Sequence, residues 1–226
     1  MAIEIEPITP ILGAEVTGID VTSLDDAGFE ALFRAFVEHS VIFLRDQPPL
    51  TEEAHREFAS RFGPIHVHPA ARGRKAEHPG VMSMRTNRES RVAAGNRWHS
   101  DVSCDAEPPQ ASILQLHQIP PVGGDTLFSS LYAAYDALSD RMKVMLDGLT
   151  AQHSGEEPFR HVFRFENASG SEGWPENDHP IVRKHADSLR PALFVDREFT
   201  NKINELPKEE GKALLEFLFD HVERVD

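Results

Sequence analysis

The 226-residue chain is short of cysteine, of tryptophan and tyrosine, and of positive charge. Its one cysteine, Cys104, leaves no partner for an intrachain disulfide and no thiolate cluster for a structural zinc site. A reducing, cytoplasmic setting is therefore expected. Lys and Arg number 23 against 37 Asp and Glu, for a net charge of −14, and the basic residues form no run. That balance excludes nucleic acid or an anionic membrane as the main partner, while a locally basic pocket for a small anion is still permitted. No apolar stretch approaches the ~20 residues that span a bilayer. The opening "MAIEIEPITPILGAEVTGID" alternates polar and apolar residues without a basic leading segment, unlike a signal peptide.

What is present suits a folded enzyme-sized unit. With 40% hydrophobic and 27% charged residues, residues 1–226 read as a single domain with one sizeable core. "MAIEIEPI" and "AEVTGID" pattern as strands. Phe29, Leu32, Phe33, Phe36 and Val37 follow helical spacing, with Ser23 expected as the N-cap. "VIFLR" suits a buried strand, and Thr51 caps a second helix ending at Gly63-Pro64. Further on, "ASILQLHQ" and "DTLFSS" pattern as two strands joined by the turn "IPPVGG". "LYAAYDAL" and "DRMKVMLDGL" pattern as short helices, with Ser139 as the cap between them. Residues 155–180 are rich in Gly, Ser, Asn and Pro, as expected of a surface insertion or mobile lid. "PIVRKH" and "ALFVD" pattern as strands, and "PKEEGKALLEFLFDHVER" as a closing helix that buries Leu215, Leu218, Phe219 and Val222. Many strands with a few amphipathic helices predict a mainly β core, barrel or sandwich, with helices outside.

The chemistry concentrates in "NRWHSDVSCD", Asn96 to Asp105. If this stretch is a strand, His99 and Asp101 point to the same face, and an imidazole nitrogen and a carboxylate oxygen converge. Mixed N/O donors without thiolate suit iron, and two histidines with one carboxylate on one face of the metal leave positions open for substrate and dioxygen. On its spacing alone the tripeptide is more often a surface His-x-Asp pair.

The longer stretch "NRWHSDVSCDAEPPQASILQLHQIPPVGGDTLFSS" resembles the core of the taurine dioxygenase family of 2-oxoglutarate-dependent enzymes, in which W-H-x-D-V is followed by E-x-P-P, a strand and G-G-D-T. "GAEVTGID", "HSVIFLRDQ", "RFGPIHVHP", "YAAYDALSD", "HPIVRKH" and "ALFVDREFT" extend the resemblance over essentially the whole chain. It implies a distorted double-stranded β-helix, or jelly roll, and the use of Fe(II), 2-oxoglutarate and O₂. By the same resemblance His99 and Asp101 are iron ligands and Thr126 hydrogen-bonds a carboxylate of 2-oxoglutarate. A homo-oligomer, dimer or tetramer, is implied as well.

On the substrate side, His68 matches the position where these enzymes bind a sulfonate, and Val102 and Phe159 match pocket-lining positions; Phe199 is a further candidate wall residue. Where the family has a tyrosine and an asparagine, this chain has Ala71 and Gly95. Losing a phenol and an amide points away from taurine and toward a larger or more apolar sulfonate, a sulfate ester or a carboxylate.

The resemblance also implies a distal histidine ligand and, further on, an arginine for the co-substrate carboxylate. The helix that precedes them in the family ends here at Asp226, so the expectation is a chain incomplete at its C-terminus, without the strands that close the jelly roll. His221 lies within that helix and does not substitute. Two other functions stay open: a non-catalytic binding or regulatory protein that kept the fold, and a zinc hydrolase built on His99 and Asp101.

Overall fold

The computed structural model of the chain describes residues 3–71, 77–87, 89–90, 95–162 and 173–224. At the N-terminal end β1 (Glu4–Pro7) runs antiparallel to β2 (Ala14–Thr17), which pairs in parallel with β3 (Ile42–Phe43). Helix α1 (Asp26–His39) buries Leu32 and Ala35 against this sheet, joined by Val16 and by Phe58 of α2 (Glu52–Ser60). The α1 cap is Asp25 rather than Ser23, because the Asp25 carboxylate reaches the Gly28 amide at 2.8 Å while Ser23 is engaged in a turn onto Asp20. Thr51 caps α2 as its sequence predicts. Arg61 then donates to the Leu24 carbonyl at 2.6 Å and lies 4.3 Å from the Phe29 ring, fastening the end of α2 to the start of α1.

The second half is built around β4 (Thr150–Ser154), which is central between β5 (Glu176–Pro180) and β8 (Thr200–Ile203), both antiparallel to it. A hairpin of β6 (Val182–Lys184) and β7 (Pro191–Leu193) stands beside this sheet. Helices α3 (Leu131–Asp136), α4 (Asp140–Leu146) and α5 (Lys208–Val222) cover it, and Leu146, Ile181, Leu193 and Leu218 are fully enclosed between the layers. Ser139 caps α4, and α5 buries Leu215, Leu218, Phe219 and Val222 as expected from spacing. The architecture is thus sheet with peripheral helices.

Three expectations change. The His99 stretch is not a strand: Trp98–Ser100 carry no regular structure, Asp101–Cys104 form a turn and Asp105–Glu107 bend. The "ASILQLHQ" and "DTLFSS" stretches pair with no strand among the described residues; Ile113 packs on the first core, whereas Leu114 and Leu116 are 71% and 73% exposed. An alternating pattern suits a strand, but a strand forms only where a neighbour accepts its backbone groups. Finally, much of 155–180 is integral to the fold. Phe159, on the helical turn Glu157–Val162, is buried and β5 is a sheet strand, while 163–172 lie outside the described residues.

Candidate metal centre and pocket

The turn from Arg97 to Asp105 brings the expected pair together. His99 Nε2 stands 3.1 Å from Asp101 Oδ1, and His99 Nδ1 donates to the Arg97 carbonyl at 2.7 Å. That second bond orients the ring and aims Nε2 at the carboxylate. The Ser112 hydroxyl donates to Asp101 Oδ2, leaving Oδ1 directed at the imidazole. The bond to Asp101 raises the His99 pKa to about 9, against the opposing effect of burial, and the same bond holds Asp101 below the usual carboxylate range.

Two donors at right angles on a metal, each about 2.1 Å from it, lie about 3 Å apart. The His99–Asp101 separation has that span, and its one-nitrogen, one-oxygen composition fits two members of the facial triad that holds non-haem iron. Among the described residues no third His, Cys, Asp or Glu joins them in a metal-holding cluster.

The proposed substrate residues gather beside the pair. Val102, Phe159 and Phe199 form one buried apolar cluster with Cys104, and Trp174 packs on its edge. The Phe159 and Phe199 ring centroids are 5.5 Å apart, Phe199 approaches the His99 ring at 6.4 Å, and His68 sets its ring against Phe159 at 5.1 Å. His68 is close enough to Asp101 for its charge to help hold that carboxylate low. Gly155 permits this packing: a Cβ there would stand 2.7 Å from Phe159 and 3.1 Å from Cys104 Sγ. Val102 has φ +49°, a conformation that strains a β-branched residue, and the strain sits directly after Asp101. Gly95 (φ +78°) would place a Cβ 3.6 Å from His99 Cε1, so the position lacking the family's amide lies against His99. Ala71 ends the short helical turn Pro69–Ala71.

Thr126 is not gathered with these residues. It is exposed in the unpaired stretch before α3, and among the described residues no hydrogen bond joins it to His99 or Asp101.

Behind the turn lies a buried polar layer that sequence reading did not anticipate. His153 Nδ1 meets Ser103 Oγ at 2.9 Å, and Ser103 Oγ donates to Asp196 Oδ2 at 2.9 Å. His66 meets Asp105 at 2.6 Å, and His179 Nε2 donates to the Asp105 carbonyl at 2.9 Å. Burial pushes Asp196 up to about 6 and, with the nearby His179 adding to it, holds His153 down to about 3. Glu198 is also raised by burial; among the described residues neither of its oxygens has a hydrogen-bond partner, and Arg97 Nε stands 3.7 Å away. The β-sheet signal was weak here because "TAQHS", "ENDHP" and "TNKI" carry few apolar residues.

The family model for taurine catabolism dioxygenases (TauD, TfdA family) matches residues 4–226, and the chain belongs to that family. A taurine dioxygenase of Burkholderia xenovorans, solved by crystallography, superposes with a TM-score of 0.81 at 33% identity, over 99% of this chain and 74% of that one. The fold is therefore the double-stranded β-helix of these dioxygenases. An alpha-ketoglutarate-dependent sulfonate dioxygenase of Saccharomyces cerevisiae is 31% identical over 98% of this chain and 56% of its own length. An alpha-ketoglutarate-dependent sulfate ester dioxygenase of Pseudomonas putida is 30% identical over 100% of this chain and 76% of its own. The chain spans 56% to 64% of the length of four curated relatives that it matches over nearly all of itself. No described helix is long and apolar enough to cross a membrane.

Proposed function

We propose that this chain carries the iron and substrate side of an Fe(II)- and 2-oxoglutarate-dependent dioxygenase that hydroxylates a C–H bond of a small organic anion, an alkylsulfonate, sulfate ester or carboxylate. The observation that carries this reading is the His99–Asp101 pair, 3.1 Å apart, beside an aromatic wall. His99 and Asp101 would hold ferrous iron, which with 2-oxoglutarate and O₂ would supply oxidation of an unactivated C–H bond, the co-substrate leaving as succinate and CO₂.

The chain's own residues do the placing. Arg97 and Ser112 orient the two ligands through the bonds described above. Val102, Phe159 and Phe199 exclude water and confine the carbon to be oxidised. His68 at the edge of that wall supports the anionic group; by the family resemblance Thr126, although it stands apart from the pair, is the residue proposed for a carboxylate of 2-oxoglutarate. Hydroxylation of the carbon beside a sulfonate or sulfate ester then releases sulfite or sulfate with an aldehyde.

Succinate release tests the reading, with Fe(II), 2-oxoglutarate and O₂ supplied and alkylsulfonates, alkyl sulfates and aryloxy carboxylates offered in turn. Substrate-dependent succinate is expected from at least one class. One observation favours a binding protein: two metal donors, not three, are gathered among the described residues. Tight anion binding without succinate would establish that alternative, and turnover with zinc in the absence of O₂ would establish a hydrolase.

A further inference from the structure

The turn from Asp196 to Phe199 meets the metal turn at both of its ends. Asp196 Oδ2 accepts the hydroxyl of Ser103, two residues beyond Asp101, at 2.9 Å. Its Oδ1 accepts the amides of Glu198 and Phe199 at 3.0 and 2.8 Å. The Asp196 amide donates to Thr200 Oγ1 at 3.0 Å, which seats the turn on β8. At the other end, the buried Glu198 carboxylate faces Arg97, whose carbonyl holds His99 Nδ1. One carboxylate thus bonds the side chain of Ser103, two residues after Asp101, and the amide of the wall residue Phe199.

We propose that Asp196 is a positioning residue that fixes His99 and Asp101 relative to the Phe199 wall, so that metal affinity and substrate fit both depend on it although it touches neither. This rests on the metal site proposed above. Bonds from N–H and O–H donors to an ionised acceptor are stronger and more directional than neutral ones, which suits a carboxylate to holding two loops in register. A carboxylate buried only to fill the core would be replaceable by a neutral polar group without effect on the metal. A carboxylate that places the ligands is not. Partners that orient metal ligands change metal affinity on the order of 10- to 100-fold when removed.

Mn(II) serves as the probe, with free Mn(II) followed by electron paramagnetic resonance in the purified protein and thermal unfolding followed in parallel. Asp196→Ala is expected to weaken Mn(II) binding by about 10- to 100-fold, and Asp196→Asn, which keeps one oxygen but loses the charge and the second acceptor, to recover only part of that loss. With an active substrate, KM is expected to rise in Asp196→Ala together with a fall in kcat. Should Asp196→Ala fail to fold, the comparison moves to Ser103→Ala, which cuts the link to the metal turn, and Thr200→Val, which cuts the link on the far side. Ser103→Ala is then expected to weaken Mn(II) several-fold while Thr200→Val leaves it unchanged. Wild-type Mn(II) affinity in folded Asp196→Ala, or equal affinities in Ser103→Ala and Thr200→Val, would overturn the inference. Failure of the wild-type protein to bind Mn(II) would instead overturn the metal site itself.

Discussion

His68 places the edge of its ring against Phe159 with centroids 5.1 Å apart, so a polar side chain borders an otherwise apolar wall. Removing each partner should act on a different quantity. His68→Ala is expected to raise KM for an anionic substrate by about 10- to 100-fold, as expected for a lost hydrogen bond to a charged group, with a much smaller change in kcat. Phe159→Ala empties a fully enclosed site and is expected to destabilise the fold by about 3–5 kcal/mol. Steady-state kinetics and denaturant unfolding separate the two effects.

His99→Ala and Asp101→Ala each remove a proposed donor. Both are expected to abolish measurable Mn(II) binding and succinate production. Ser112→Ala leaves both donors in place but frees Asp101 Oδ2, and is expected to weaken the metal about 10-fold. A Ser112→Ala protein with wild-type metal affinity would show that the hydroxyl does not orient the ligand.

Thr126 offers a cleaner substitution because it is exposed and apart from the buried layers. Thr126→Val is expected to raise the KM for 2-oxoglutarate by about 10-fold with the melting temperature unchanged, and Thr126→Ser to stay near wild type. Equal KM values in the three proteins would remove Thr126 from the co-substrate site.

The buried layer makes stability depend on pH through His153. Its folded pKa, about 3, lies below the ordinary 6.5, so the unfolded chain takes up a proton that the folded chain refuses. Stability is full above pH 6.5 and falls as pH drops toward 3, by at most about 1.4 kcal/mol per pH unit. Asp196, 4.0 Å away and raised from 3.8 to about 6, works in the opposite sense: its contribution increases as pH falls from 6 to 3.8. His179, Asp178 and Arg183 also act on His153. His153→Gln removes the larger effect, and its melting temperature, relative to its own value at pH 7, is expected to fall less than wild type at pH 4 and 5.

The parts of the protein that sequence made legible were those whose signal is local. Thr51 and Ser139 cap helices through their own side chains, and α5 shows its buried face in residue spacing alone. His99 and Asp101 were found by motif, although the strand expected to align them is a turn, and their convergence arises from the bends after Ser100. His68, Val102, Phe159 and Phe199 were carried by family resemblance, and they pack side by side from four separate segments. Ser112, Asp196 and Glu198 left no readable mark, because their roles depend on contacts between segments remote in the chain. Strands β4, β5 and β8 were obscured for a related reason: their buried histidines and hydroxyls bond to one another across elements, which hydrophobic patterning does not register.

The left-handed backbone at Val102 ties pocket shape to conformational ease. The same residue carries the bend that follows Asp101 and contributes its isopropyl group to the aromatic cluster. Glycine alone would occupy this conformation without strain, and glycine would leave the wall with a gap beside His99 and Asp101. Any side chain large enough to shape the substrate inherits the tension. If Val102 lines the substrate pocket as proposed, selectivity and backbone relaxation cannot both be maximised at position 102, and a route to a new substrate that begins there trades rigidity of the turn after Asp101 against fit of the pocket.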